Sequence, residues 1–170
     1  MSRPEKNEYG ESYAGYISLV PEEDILTAIT SQANEFQELA ASIPEEKGAY
    51  RYTEGKWTIK ELLGHINDGE RIFAYRALRI ARGDQTPLSG FEQDDYIETG
   101  RFNERTVGDL IEEFILLRRS NIKLFKNIED AAWLRMGTAS DNPISVRAVA
   151  YIMTGHVRHH LNILRSRYLV

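Results

Sequence analysis

The chain contains no cysteine. Disulfides and thiolate metal sites are both excluded, so any metal it binds must be held by nitrogen and oxygen ligands. No apolar run reaches the roughly 18 residues that cross a bilayer. The first residues, Met1-Ser2-Arg3-Pro4-Glu5-Lys6, lack the apolar stretch of a secretory leader. Basic excess is missing too: 21 Lys and Arg stand against 26 Asp and Glu, a formal net charge of −5. Phosphate binding needs a basic surface, so nucleic acid is disfavoured as a partner. Neither an internal repeat nor a low-complexity linker interrupts the sequence. The expectation is a cytoplasmic protein with no membrane partner, acting on a small molecule. What is present is ordinary for a globular chain: 170 residues, 42% hydrophobic and 28% charged, enough for one domain with a real core.

Apolar periodicity predicts four amphipathic helices. Residues 1–20 show no helical period, and Tyr9, Tyr13, Tyr16 and Ile17-Ser18-Leu19-Val20 suggest an arm packed on a body spanning 21–170. The first helix is placed from Pro21, which suits a first helical position, followed by Glu22, Glu23 and Asp24 at the positive end of the dipole. Ile25, Ile29, Ala33 and Phe36 form its stripe, and Pro44 ends it. The second opens at Thr58, where Thr58-Ile59-Lys60-Glu61 reads as a capping box with Trp57 as a staple. Gly83-Asp84 stops it. A connection of about residues 83–105 follows, longer than most loops without a binding role. The third helix begins near Thr106 with Asp109 completing a second box. A loop with Gly137, Asn142 and Pro143 leads to the fourth, which starts after Ser145. With no convincing strand alternation, the fold class is all-α, an antiparallel four-helix bundle.

His65, His156 and His160 fall on the apolar stripes of the second and fourth helices. Residues four apart share a helix face, so the imidazoles of His156 and His160 neighbour each other. Such residues are either core histidines, each hydrogen-bonded to its own partner, or ligands of one cation. An unpaired buried polar group costs about 1–3 kcal/mol, and a shared divalent metal would satisfy one nitrogen on each ring at once. His159 lies about 100° from His160 around the helix, at the rim of the stripe, and is read as a flanking residue rather than a ligand. Zincin chemistry needs H-E-x-x-H; Val157 occupies the place of that glutamate, so peptidase activity is disfavoured.

Two runs resemble a known family. Gly55-Lys56-Trp57-Thr58-Ile59-Lys60-Glu61-Leu62-Leu63-Gly64-His65-Ile66 and Gly155-His156-Val157-Arg158-His159-His160 resemble the second- and fourth-helix signatures of the DinB/YfiT-like superfamily. Glu70-Arg71-Ile72-Phe73-Ala74-Tyr75-Arg76, Phe91-Glu92-Gln93-Asp94-Asp95-Tyr96 and Tyr16-Ile17-Ser18-Leu19-Val20-Pro21 also resemble it, so the match covers nearly the whole chain. The resemblance implies a four-helix bundle in which His65, His156 and His160 ligate a divalent metal, often zinc or nickel. It also implies frequent homodimers. Characterised relatives include S-transferases that conjugate low-molecular-weight thiols to electrophiles, and a maleylpyruvate isomerase. Similar sequences often carry glutamate at the place of Val157.

The functional expectation is a metal-dependent enzyme of the thiol S-transferase type acting on a small electrophile. The alternatives are a metal-dependent hydrolase and a non-catalytic, metal-stabilised dimeric bundle. The 83–105 loop is expected to supply the substrate pocket, with Phe91 and Tyr96 as apolar walls and Asp94 as a polar or acid–base group. A solvated helix cap is the plainer role for Asp94 and Asp95. Arg71, Arg76 and Arg79 could hold the carboxylates of a thiol cofactor, or pair with Glu70, or face solvent. Ile115, Leu116 and Tyr168, outside the main stripes, are candidates for a dimer face.

Overall fold

The computed structural model describes residues 2–170, with only the backbone described at Ala40 and Ala41; Met1 lies outside the described residues. Four long helices form the body: α2 (Ile25–Ala41), α3 (Ile59–Ala81), α5 (Val107–Lys126) and α6 (Val146–Ile163). Two short ones, α1 (Ala14–Ser18) and α4 (Gln93–Thr99), accompany them. The last turn of the chain widens to π-helical geometry over Leu164–Tyr168.

Local chemistry sets most of the boundaries. At α3 both bonds of the capping box form: Glu61 N donates to Thr58 Oγ1 at 3.1 Å and Thr58 N to Glu61 Oε2 at 2.7 Å. Ser145 caps α6, accepting from Ala148 N at 3.0 Å. Thr106 caps α5, but Asp109 does not return the bond, because its carboxylate pairs with Arg105. The helix expected from Pro21 is α2, and it begins at Ile25. Asp24 is the reason: its carboxylate accepts from Leu26 N at 3.2 Å and from Thr27 Oγ1 at 2.6 Å, which caps the helix four residues further on.

Buried side chains fall into two apolar clusters. The first gathers Ile25 and Ile29 of α2, Phe73 and Ile80 of α3, Phe125 of α5 and Val149 and Met153 of α6. The second gathers Phe36 of α2, Ile59, Leu63 and Ile66 of α3, Leu110 and Phe114 of α5, and Val157 and Leu161 of α6. Thus α2 and α6 run from the first cluster toward the second, and α3 and α5 run the other way. In space α3 packs on α5 and α6, and α2 packs on α5 and α6, so α2 and α3 lie across a diagonal. The neighbours α3 and α5 are therefore parallel. Parallel neighbours cannot be joined by a tight turn, which accounts for the long connection between them.

That connection is partly ordered by a feature not expected from the sequence. Strands β1 (Met136–Ala139) and β2 (Asn142–Ser145) form an antiparallel hairpin. Its two-residue turn, Ser140-Asp141, has positive φ at both positions (49° and 61°), as a type I′ turn requires. Leu88 bridges to the hairpin, donating to Thr138 O and accepting from Ser140 N, each at 2.9 Å.

The first residues lie on the body, with α1 against α6. Arg147 pairs with Glu8, and Arg3 donates to Ile17 O at 2.9 Å. Of the dimer-face candidates, Ile115 and Tyr168 are buried within the chain and only Leu116, 59% exposed, faces outward. Both buried residues fill the second cluster, which their place off the main stripes did not reveal.

Candidate metal centre

Between the two apolar clusters each long helix contributes polar side chains. Gln32 Nε2 donates to Thr154 O at 2.9 Å, Arg118 Nη1 donates to Gln32 Oε1 at 3.0 Å, and Asn121 Nδ2 donates to Glu70 Oε2 at 2.7 Å. Arg118 and Glu70 form an ion pair with both side chains fully buried. This network ties all four helices at the level where the histidines sit, and so fixes the spacing of α3 and α6.

His65 projects from α3, and His156 and His160 from α6, one turn apart. His156 Nε2 lies 2.8 Å from His65 Nε2 and 3.2 Å from His160 Nε2. Nitrogen lone pairs facing each other at such distances repel unless a proton or a cation stands between them. Burial disfavours the proton: it pushes the His65 imidazole down to about 4 and holds His156 and His160 well below the ordinary value. Neutral imidazoles are the form that ligates metal. The Nδ1 atoms of His156 and His160 are buried without a hydrogen-bond partner among the described residues, so neither ring has the carbonyl or carboxylate that would hold it in the Nδ1–H tautomer. The donor set fits a divalent cation. Among the described residues, only these three histidines form a ligating group within 4.8 Å of one another.

The surroundings make room for the rings. Gly69, one turn past His65, faces the His156 ring; a Cβ there would stand 2.8 Å from His156 Cε1. Trp57 packs against His65 with ring centroids 4.7 Å apart, and Phe73 and Tyr16 stand edge-on to His156 at 5.6 and 5.5 Å. His160 borders a cleft of about 360 Å³ whose wall includes Tyr16, Tyr52, Trp57, Asp94, His159 and Tyr168. Tyr168 is fixed there by donating to Trp57 O at 2.7 Å.

The sequence-derived site residues divide between two places. Asp94 is in the histidine cleft, where its Oδ1 accepts from Trp57 Nε1 at 3.2 Å. His159 is in the cleft wall and edge-on to Tyr16, outside the ligating group. Phe91 and Tyr96 do not line this cleft. Their rings face each other at 5.0 Å in a second depression, on the far side of α4. The reason is the turn of α4: Asp94 and Tyr96, two residues apart, point about 200° from each other around the helix, so Asp94 faces the histidine cleft and Tyr96 the second depression. The aromatic wall is instead Trp57, Tyr16 and Tyr168. Tyr16, one of three tyrosines in the arm, and Tyr168, near the chain's end, gave no sequence signal for this, and Trp57 looked like a helix staple.

A model of the DinB superfamily matches residues 28–164. A protein of Oceanobacillus iheyensis, named as a proposed metal-dependent hydrolase, is 33% identical over 72 residues; that stretch spans 42% of this chain and 41% of the relative. Among solved structures, YfiT from Bacillus subtilis superposes with a TM-score of 0.72 over 96% of this chain and 91% of its own, at 14% identity. It is described as a four-helix bundle of unusual topology for which metal-dependent hydrolysis is proposed. The mycothiol-dependent maleylpyruvate isomerase superposes with a TM-score of 0.68 over 86% of this chain and 61% of its own, at 12% identity. At these identities the two structural likenesses are likenesses of fold.

Proposed function

The chain belongs to the DinB superfamily, and we propose that it is a metal-dependent enzyme that transfers the sulfur of a low-molecular-weight thiol to a small electrophile. The observation that carries this reading is the arrangement of His65, His156 and His160: three neutral imidazoles converge, no fourth side chain joins them among the described residues, and His160 opens onto a cleft. A closed set of four protein ligands marks a structural site, and three ligands with space beside them mark a catalytic one. Zinc and nickel both suit an all-imidazole set.

His65, His156 and His160 would hold a divalent cation, whose positive charge would favour the deprotonated form of a thiol or water beside it. The chain's own residues do the rest. Trp57, Tyr16 and Tyr168 give the cleft an aromatic wall that excludes water from one side of the substrate. Asp94 is held at Oδ1 by the Trp57 indole, and its Oδ2 is left to take the proton that the thiol gives up. The sulfur then bonds to the electrophilic carbon as that carbon's leaving group departs with its electron pair.

Hydrolysis is the second reading, and the same open cleft at His160 supports it: a water in place of the thiol would give its proton to the same carboxylate. The names given to the Oceanobacillus relative and to YfiT favour this alternative. One experiment separates them. Metal-loaded protein is assayed with a panel of thiols against monochlorobimane, and with p-nitrophenyl acetate in the absence of thiol. We expect a thiol-dependent rate that a chelator removes. A chelator-sensitive rate on the ester alone would replace the transferase by a hydrolase, and no rate on either would leave a metal-binding bundle without this chemistry.

A further inference from the structure

The arginines of this protein are mostly partnered. The buried Arg118 pairs with Glu70, and the sparingly exposed Arg147 and Arg158 pair with Glu8 and Glu22. On the outer face of α3, Arg71 pairs with Glu113 and Arg79 with Asp84. Arg76, between them, is 2% exposed and forms no ion pair among the described residues. Its contacts are neutral: Nη2 donates to Ser89 O at 2.9 Å and to Ser140 Oγ at 3.0 Å, and Nη1 reaches Tyr13 Oη at 3.5 Å. A guanidinium carries five N–H donors, so part of its capacity and all of its charge are uncompensated. Burying a charge without a counter-charge is costly, and among the described residues the buried charges other than Arg76 are all in ion pairs.

Arg76 lines a depression of about 530 Å³ together with Arg71, Arg79, Tyr75, Phe91 and Tyr96. Its guanidinium is positioned by three chain segments at once: the arm at Tyr13, the connection at Ser89 and the hairpin turn at Ser140. That convergence makes it rigid, and a planar fork held rigid is suited to bidentate contact with a carboxylate or phosphate. Two aromatic rings, Phe91 and Tyr96, stand across the same space. The depression is separate from the histidine cleft. α4 forms the ridge between them, and Arg76 is eleven residues beyond His65 on α3, about 16 Å along the axis at the usual rise per residue.

We propose that this depression is a second ligand site, which binds the carboxylate or phosphate group of a small aromatic acid. Arg76 is its anion contact, while Arg71 and Arg79, each already paired with a carboxylate, stand at the rim. Phe91 and Tyr96 are the walls against which the ring packs. The site works without metal and does not depend on the activity proposed for the histidine centre.

The test uses the full chain carrying His160→Ala, in the presence of a chelator, so that nothing binds at the histidines. It is titrated calorimetrically with benzoate, with phenyl phosphate and with benzyl alcohol. We expect saturable binding of one or both acids, the pair showing whether carboxylate or phosphate is preferred, and none of the neutral alcohol. Arg76→Gln should weaken the acid at least tenfold, while Arg119→Gln, an exposed charge on α5, leaves it unchanged. Absence of saturable binding overturns the proposal, as does equal weakening by both arginine variants, which would reduce the effect to net charge. Should Arg76→Gln fail to fold, Tyr96→Ala decides. That residue is 44% exposed; a several-fold loss upholds the site, and unchanged affinity overturns it.

Discussion

His156 Nε2 lies 2.8 Å from His65 Nε2, although 91 residues separate them in the chain. Only the antiparallel packing of α3 on α6 brings them together, and His160 completes the group from one turn further along α6. Alanine at His156 or His160 is therefore expected to abolish metal content, measured by elemental analysis of purified protein. Alanine at His159, which lies outside the group, should leave one metal per chain. Equal loss in all three variants would show that the ligand set differs from the one described.

Gly69→Ala is expected to separate metal affinity from fold stability. The new methyl would stand 2.8 Å from His156 Cε1, closer than packed carbons sit, so the ring must turn. Alanine is favoured over glycine in a helix interior by about 1 kcal/mol, which offsets part of the crowding. Metal affinity should fall about tenfold, in the range seen when the support of a ligand is disturbed. Thermal unfolding of the metal-free protein should move little. Chelator competition and calorimetry measure the two quantities; unchanged affinity would mean that the His156 ring has room to spare.

The same glycine shows where sequence reasoning stops. Thr58 and Ser145 were legible as caps because a helix start is decided by the few residues around it. The histidines were legible because a helix has a fixed period, and the long connection because loops of that length are uncommon. Gly69 reads in sequence only as a weak helix residue; its use depends on a ring from another helix. The hairpin at Met136–Ser145 was missed for a related reason. Its strands are four residues long, and Ser140-Asp141 is not one of the glycine-containing pairs that mark a type I′ turn. The split of Asp94 from Tyr96 depends on how α4 is turned against α3, which no local pattern encodes.

Glu8 should make stability depend on pH. Burial pushes its carboxyl up, but hydrogen bonds from Arg147, Ser145 and the Glu5 N–H outweigh that, and the net shift is down. A carboxylate depressed in the folded state adds stability above its unfolded pKa and loses it as pH falls through the folded value. The contribution is thus full at neutral pH and fades in acid, below the usual glutamate range. Glu8→Gln should cost about 1–3 kcal/mol at neutral pH, the range for leaving a buried partner unsatisfied. In urea titrations the gap between variant and parent should narrow as the solution is acidified. A gap that stays constant with pH would show that the pair acts through packing rather than charge.

Asp94→Asn tests the proton-accepting role assigned to this residue without disturbing the cleft. Asparagine keeps an oxygen that accepts from Trp57 Nε1, so the bond that places the side chain survives. What it loses is the carboxylate charge and the basic oxygen that would accept the proton. General-base catalysis contributes typically about 10²–10⁴-fold, so kcat should fall by about 10²-fold or more. KM for the electrophile and the metal stoichiometry should stay near those of the parent. A variant that keeps its kcat would assign the proton to solvent and leave Asp94 as a partner for the Trp57 indole. A variant that instead raises KM alone would place Asp94 in binding rather than in proton transfer.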